Sequence, residues 1–201
     1  MEACLKKLTL VVAFCALLAL EIVPAHAQEA DVGIGFGTLT VPSSSSSTNS
    51  GTQQMGGGLY PSVSANIIFK HRIGFGGEVA WRSSQNLYFG FQPFRPILFD
   101  FNGVWAPNLG KRTTLEAMGG IGAESVRFYT GTLSCSFVSC TDYVSSNHFL
   151  THVGAGIRYR VWHNFFIRPE AHYYYVNNNN EFNSNQAARF NITLGYALVP
   201  E

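Results

Sequence analysis

The side chains of this sequence best suited to chemistry are a few serines and histidines in its C-terminal half. Ser145, Ser146 and His148 lie close together, and a serine becomes a nucleophile when a nearby histidine takes its proton. His152 and His172 share one face of the predicted strands with His148, but a metal site needs three or four converging ligands. We therefore expect these histidines to join an internal hydrogen-bond network. No catalytic residue, cofactor or metal is predicted.

The N-terminal segment has the pattern of a secretory signal peptide. Two lysines precede an apolar run over residues 8–20, and the sequence AHA that follows fits the small-x-small cleavage rule. We predict cleavage between Ala27 and Gln28. The signal peptide would then be residues 1–27 and the mature domain residues 28–201. A retained N-terminal anchor is the alternative.

The predicted mature domain keeps two cysteines, Cys135 and Cys140, in the sequence CSFVSC. A secreted chain folds in an oxidising compartment, where an even number of cysteines favours a disulfide. The spacing does not fit a zinc site, and there is no second cysteine pair. We predict that the two form a disulfide closing a small loop, with two free thiols as the alternative.

The stretches that carry these residues have the alternation typical of β-strands. In residues 147–161, apolar side chains such as Phe149 and Ile157 take one face, and polar or small residues take the other. A polar turn follows at residues 162–164, and residues 165–176 alternate again. A period of two on both sides of a short turn predicts a β-hairpin. Each strand is long enough to cross a bilayer, which takes roughly 9–11 tilted residues.

The rest of the predicted mature domain has the same period and adds six strands. With the hairpin, the predicted strands cover residues 31–41, 59–69, 73–83, 95–106, 113–129, 147–161, 165–176 and 187–199. The predicted long loops cover residues 42–56, 84–94, 130–146 and 177–185. A shift in apolar parity after Ser125 predicts a bulge. An even number of strands, joined alternately by long loops and short turns, is the pattern of a transmembrane β-barrel.

Glycine indicates which face of the strands is inside. Most strand glycines share a face with the charged residues, and the interior of an eight-stranded barrel is only just wide enough for side chains. Large charged groups inside the barrel need small neighbours, whereas a polar face in water does not. We therefore assign the polar face to the lumen and the apolar face to lipid. Five aromatic residues near strand ends fit an interfacial girdle: Trp81, Trp105, Trp162, Tyr173 and Tyr175.

The predicted lumen holds charges of both signs in nearly equal number. Charged groups removed from bulk water must pair, so we predict an ion-pair network that plugs the barrel instead of lining an open pore. The hairpin places Arg158 opposite Arg168, with Glu170 as a diagonal acid. The predicted network comprises Glu78, Arg82, Asp100, Glu116, Glu124, Arg127, Arg158, Arg160, Arg168, Glu170 and Arg189.

The C-terminal sequence LGYAL, residues 194–198, is similar to the signal that directs outer-membrane barrels to their assembly machinery. Residues 199–201 depart from that signal, because no aromatic residue ends the chain. With the strand pattern, residues 28–201 resemble the small eight-stranded outer-membrane barrels of the OmpA/OmpX type. The resemblance implies an all-β, antiparallel, up-and-down transmembrane β-barrel in the outer membrane of a Gram-negative bacterium.

The same resemblance implies partners and an orientation. Both termini would lie in the periplasm, and the barrel-assembly machinery would insert the chain as a monomer. The barrel would contact outer-membrane lipid and lipopolysaccharide, and its loops could contact an extracellular ligand.

Charge and hydropathy exclude other functions. The net charge is +1 at pH 7, whereas a nucleic-acid surface needs a basic excess. No apolar run reaches the roughly 18 residues of a transmembrane helix. We predict a non-enzymatic protein with a structural or surface-interaction role, in which the cysteine loop either makes a surface contact or is a passive cap. The alternatives are a secreted lipocalin-like ligand-binding barrel, an enzyme that modifies lipid A, and a narrow channel.

Overall fold

The structure, a computed structural model, describes residues 27–41, 55–69, 72–135, 140–179, 181–182 and 184–198. The predicted signal peptide up to residue 26 and most of the predicted loop 42–56 lie outside these residues. The described chain forms nine strands: β1 (Ala27–Thr40), β2 (Leu59–Phe69), β3 (Ile73–Trp81), β4 (Asn86–Tyr88), β5 (Gln92–Trp105), β6 (Thr113–Cys135), β7 (Cys140–Trp162), β8 (Phe165–Val176) and β9 (Gln186–Leu198). Among the described residues, no helix is long and apolar enough to cross a membrane.

Eight of these strands close into one ring. The hydrogen-bonded order is β3-β2-β1-β9-β8-β7-β6-β5, and β3 also pairs with β5, which joins the two ends of the order. Each neighbouring pair is antiparallel. The short β4 pairs with β5 beyond the end of β3. The predicted eight-stranded, antiparallel, up-and-down barrel is confirmed.

The largest difference from the predicted strands lies between β6 and β7. Residues 130–146, predicted to be a loop, mostly continue these two strands, which pair as far as Cys135 and Cys140. Aromatic and β-branched residues such as Tyr143 and Val144 suit a paired strand. The loop prediction gave more weight to the neighbouring serines and threonines and was wrong here.

The predicted bulge after Ser125 is also wrong. β6 keeps one register with β7 from Thr113 to Tyr129, and the irregularity lies beyond, between Tyr129 and Ser134. The parity shift has another cause, because Val126 is apolar but fully buried inside the barrel.

The barrel has two distinct ends. The turn end carries the first and last described residues and the strand ends that flank residues 70–72, 106–112 and 163–164. The loop end carries the strand ends that flank residues 41–58, 82–91, 136–139 and 177–185. In chain order, the ring connections alternate between the two ends.

Burial alternates along the strands, as the sequence predicts. In β8 every second residue from Phe166 to Val176 is buried, and the residues between them are exposed. The buried series includes Arg168 and His172, so the polar face is inside. Glycine makes room for the buried polar side chains, because a Cβ on Gly154 would lie only 3.0 Å from His172 Nδ1.

Candidate functional site

The middle of the lumen holds a compact group of arginines and carboxylates. Arg158 and Arg168 lie opposite each other in the antiparallel register of β7 and β8. Glu116 lies between them, with Oε1 2.5 Å from Arg158 Nε and Oε2 3.0 Å from Arg168 Nη1. Asp31 of β1 also contacts both guanidinium groups. Shared acids therefore hold two like charges together, and these four side chains are at most 2 % exposed.

The group extends along β8 and β9 through hydrogen bonds. Arg168 Nε pairs with Glu170 Oε1. The other oxygen of Glu170 accepts hydrogen bonds from Asn191 Nδ2 and Thr193 Oγ1, each at 3.0 Å. These polar groups satisfy a carboxylate that would otherwise be buried at high cost.

Glu29 links the group to the rim of the turn end. Its Oε1 lies 2.7 Å from Arg158 Nη1 and 3.3 Å from Arg160 Nη2, and its Oε2 lies 3.9 Å from Arg72 Nη1. Arg72 and Arg160 are partly exposed, so Glu29 marks the boundary between lumen and solvent. We call these residues the charge cluster: Glu29, Asp31, Glu116, Arg158, Arg168 and Glu170.

Two histidines form the next layer towards the loop end. His152 Nε2 and His172 Nδ1 are 2.8 Å apart, and His152 Nδ1 lies 2.8 Å from Asn102 Oδ1. Asn102 Nδ2 donates to Asp100 Oδ1 at 2.6 Å, and the ring of Tyr174 stacks 4.8 Å from that of His152. The histidines thus occupy a hydrogen-bond network, as expected. Among the described residues, no group of three or more His, Cys, Asp or Glu side chains could hold a metal ion.

The loop end of the lumen is filled by apolar side chains. Phe182, from the connection between β8 and β9, is 6 % exposed, and its ring centre lies 5.3 Å from that of Phe94 and 5.8 Å from that of Tyr88. We call the whole cluster the apolar plug: Leu39, Met55, Tyr60, Ala80, Phe94, Leu98, Val126, Leu150, Tyr174, Val176, Phe182 and Ala187.

Ser146, His148 and Glu181 meet at the rim of the loop end. Ser146 Oγ donates to Glu181 Oε1 at 2.5 Å and lies 3.0 Å from His148 Nε2, which is also 3.0 Å from Glu181 Oε2. A hydrolytic triad uses both ring nitrogens of histidine, one for the serine and one for the acid. Here the serine and the acid both contact Nε2. These contacts therefore hold the connection between β8 and β9 against the rim and do not activate the serine. Ser145 is exposed and points away from this group.

Tyr88 of β4 also holds the connection between β8 and β9, because its hydroxyl donates a hydrogen bond to the Glu181 carbonyl oxygen at 2.9 Å. Burial and then the neighbouring Glu181 carboxylate raise the pKa of Tyr88, so the hydroxyl keeps its proton and remains a donor at neutral pH.

The structure places most of the predicted ion-pair network in the lumen, in two groups. Glu116, Arg158, Arg168 and Glu170 lie in the charge cluster, and Arg160 lies at its rim. Glu78 pairs with Arg189 nearer the loop end.

Four residues of the predicted network form no ion pair in the lumen with another described residue. Arg127 faces outward and lies 4.7 Å from the centre of the Tyr143 ring, because β6 has no bulge to turn it inward. Arg82 and Glu124 are buried, but neither forms an ion pair with another described residue. Asp100 accepts a hydrogen bond from a neutral amide instead of a cation.

The fully buried charges are less balanced than the prediction for the whole lumen. Among the described residues, seven carboxylic side chains but four arginines are buried: Glu29, Asp31, Glu78, Asp100, Glu116, Glu124 and Glu170 against Arg82, Arg158, Arg168 and Arg189. Sequence reasoning missed Glu29 and Asp31, although Asp31 shares its face of β1 with Gly33. It also missed the apolar plug, whose strand residues share the parity of the charged ones.

The remaining predicted residues lie at strand ends and at the hairpin tip. Trp105 and Trp162 end β5 and β7 at the turn end, and Trp81, Tyr173 and Tyr175 lie nearer the loop end. All five are on the outer face, where Trp81 is half-buried and the other four are exposed. Cys135 and Cys140 form a disulfide.

An apolar exterior surrounds this charged interior, and large side chains such as Phe75 and Phe101 are mostly exposed. In water that surface would be unfavourable, whereas in lipid a closed ring of strands satisfies every backbone group internally. The molecule is therefore a membrane-spanning β-barrel. The lipocalin-like alternative is wrong, because it requires the apolar face inside.

The chain belongs to the family described as outer membrane protein beta-barrel domain, which it matches over residues 12–197. This family places the protein in the bacterial outer membrane. No curated protein sequence matches significantly.

Solved structures of small barrels share the fold. Ail of Yersinia pestis superposes with a TM-score of 0.55 at 16% identity, over 86% of this chain and 99% of that chain. The N-terminal β-barrel domain of Pseudomonas aeruginosa OprF gives 0.55 at 9% identity, over 86% and 99%. Neisserial surface protein A gives 0.54 at 10% identity, over 86% and 96%.

Proposed function

We propose that this protein is a non-catalytic barrel of the outer membrane that contacts an extracellular molecule through a projection formed by β6 and β7. The β6–β7 projection comprises residues 129–135 and 140–149. These residues lie beyond the last pairing of β6 with β5, at Phe128, and before the first pairing of β7 with β8, at Leu150.

The length of these two strands carries the proposal. Each has 23 residues, about twice the roughly 9–11 needed to cross a bilayer. The pairing of β6 with β7 continues to the Cys135–Cys140 disulfide at the tip. A hairpin stiffened in this way can hold side chains well above the membrane surface.

The exposed chemistry of the β6–β7 projection favours a protein partner. Leu133 is 74% exposed and Val144 63%, and the rings of Tyr129 and Tyr143 lie 6.0 Å apart. Aromatic and apolar side chains with little charge are typical of the centre of protein interfaces. Ail was solved with the heparin analogue sucrose octasulfate, so a sulfated polysaccharide is the second probe to compare.

Binding by whole cells tests the contact. Cells displaying the protein are applied to immobilised extracellular-matrix proteins and to heparin. Leu133→Ser should lower binding to the protein surface at least fivefold, since central apolar residues carry about 1–2 kcal/mol. Leu109→Ser is the matched control, because Leu109 is 62% exposed but lies at the turn end. Equal loss in both variants would refute the contact through the β6–β7 projection, and binding to heparin alone would refute a protein partner.

We further propose the orientation and processing that accompany this role. Cleavage after Ala27 would leave β1 almost whole, both termini would face the periplasm, and the monomer would be inserted by the barrel-assembly machinery. External protease should then cut the β6–β7 projection of intact cells and spare a C-terminal tag. Cleavage of the tag would reverse the orientation.

The outer surface would contact lipid, and the lumen would remain closed. Trp81, Trp105, Trp162, Tyr173 and Tyr175 would mark the two interfaces with lipid and lipopolysaccharide. The charge cluster and the apolar plug would keep the lumen closed, so planar bilayers should record no steady conductance. A stable open channel would contradict the closed lumen.

A further inference from the structure

A concave pocket of about 260 Å³ lies at the turn end of the barrel. Its lining includes Arg112, Arg160, Trp162 and His163. The backbone builds it, because Arg160 N donates to the Arg112 carbonyl oxygen at 2.8 Å and so holds the connection before β6 against the end of β7.

The pocket presents unused positive charge. Arg112 is exposed and forms no ion pair with any described residue. Arg160 has one contact, at 3.3 Å, with Glu29, but that carboxylate is 7% exposed and is shared with Arg158 and Arg72. Guanidinium groups present several N–H donors in a planar fork that matches the oxygens of a phosphate.

An apolar groove of about 490 Å³ continues from this pocket across the barrel wall. Its floor is the backbone at Gly33 and Gly195, which are paired across β1 and β9. Rows of outward side chains, among them Ile34 and Leu194, form its walls. The lining runs from β7 to β2, which spans roughly 19 Å at about 4.8 Å per strand.

Val161 connects the two features, because it lines both the basic pocket and the apolar groove. A basic pocket joined to a long apolar groove is complementary to an amphiphile, because the pocket suits an anionic headgroup and the groove suits an acyl chain. A free phosphate ion would leave the groove unused, and an uncharged lipid would leave Arg112 without a partner.

We propose that pocket and groove together bind one glycerophospholipid with an anionic headgroup. Its phosphate lies between Arg112 and Arg160, and one acyl chain runs along the groove past Val161. This site is independent of the proposed extracellular contact, which lies at the opposite end of the barrel.

Native mass spectrometry of the detergent-purified protein tests the site. Dimyristoyl phosphatidylglycerol is titrated in competition with dimyristoyl phosphatidylcholine, and glycerol 3-phosphate is added as a headgroup without chains. Phosphatidylglycerol should bind about fivefold more tightly than phosphatidylcholine. Arg112→Gln should weaken phosphatidylglycerol binding about tenfold, as expected for loss of one charge-assisted hydrogen bond.

Two further variants separate specific binding from general attraction. Lys111→Gln removes the same charge from the adjacent residue, which does not line the pocket, and should change binding less than about twofold. Val161→Trp should block the passage between the basic pocket and the apolar groove and so weaken binding of phosphatidylglycerol. A heat-dependent gel shift confirms that each variant is folded.

Several results would overturn the proposal. Equal losses in Arg112→Gln and Lys111→Gln would show only general charge attraction. Equal affinity for the two lipids would show that the headgroup is not recognised. Displacement of the lipid by equimolar glycerol 3-phosphate, or no effect of Val161→Trp, would leave an anion pocket without a lipid site.

Discussion

The two regions of the lumen are filled in different ways. In the charge cluster, each buried arginine depends on particular acids, and Glu116 serves Arg158 and Arg168 at once. In the apolar plug, rings and aliphatic chains pack without specific partners, and Phe182 enters from a connection and not from a strand. Ion pairs depend on every member being present, whereas an apolar cluster can partly relax around a change.

The difference indicates separate tasks for the two ends. A network of matched charges fixes the register of strands distant in sequence, since Asp31 of β1 meets arginines of β7 and β8. The apolar plug instead closes the mouth beneath the connections, with Glu181 held at the rim. We infer that changes in the charge cluster affect the whole barrel and changes in the apolar plug act locally.

The largest effect is expected from Arg168→Met. Removing this arginine leaves Glu116 and Glu170 buried with one partner fewer, which should lower the free energy of unfolding by about 3–5 kcal/mol. Urea unfolding in lipid vesicles, followed by tryptophan fluorescence, measures the loss. Arg127→Met is the control, because Arg127 lies outside the lumen, and it should cost less than about 1 kcal/mol. Similar losses of unfolding free energy in both variants would show that an arginine in the lumen contributes no more to stability than one on the outer face.

Two glutamates on the same face of β6 give the sharpest test of pairing. Glu116→Gln should destabilise by roughly 2–3 kcal/mol, because two arginines lose a charged partner. Glu124→Gln should be neutral or stabilise by up to about 1 kcal/mol, since that carboxyl is buried without a partner among the described residues. The same urea titration compares them. Equal destabilisation would mean that Glu124 has a partner of its own.

Phe182→Ala tests whether the apolar plug acts locally. Loss of the buried ring should cost about 1.5–2 kcal/mol, with faster proteolysis of the connection between β8 and β9 and an unchanged gel shift of the barrel. Phe91→Ala, at an exposed position of the same end, should have little effect. Loss of the gel shift in Phe182→Ala would show that the apolar plug holds the whole barrel.

The smallest effect on the barrel is expected from the disulfide. Cys135→Ser combined with Cys140→Ser should change the free energy of barrel unfolding by less than about 1 kcal/mol, because the closed loop is short and lies at the tip. The β6–β7 projection should become more sensitive to protease. A large loss of barrel stability would show that the tip is coupled to the ring.

Alternation together with the placement of glycine was enough to predict the barrel and its inside face. A period of two with glycine on the charged face requires a narrow, filled interior, and β2 and β8 have the predicted bounds. The sequence also indicated Arg158 opposite Arg168. It could not indicate that Glu116 is the acid shared between them, because a long predicted loop separates β6 from β7 and only the folded barrel fixes the register in which Glu116 lies diagonally beside Arg158.

Sequence by itself determined which residues of most strands face inward, since strand geometry assigns every second residue to the same side. Arg127 was the exception, because the predicted bulge before it does not form. The tertiary structure alone decided which inward residues meet, because strand register and tilt bring distant segments to one level of the barrel. Thus Asp31 joins the arginines, whereas Glu124 stands opposite Leu98 at the border of the apolar plug. The same inward parity therefore gives an ion pair at one level and, at another, a carboxyl with no ion-pair partner among the described residues.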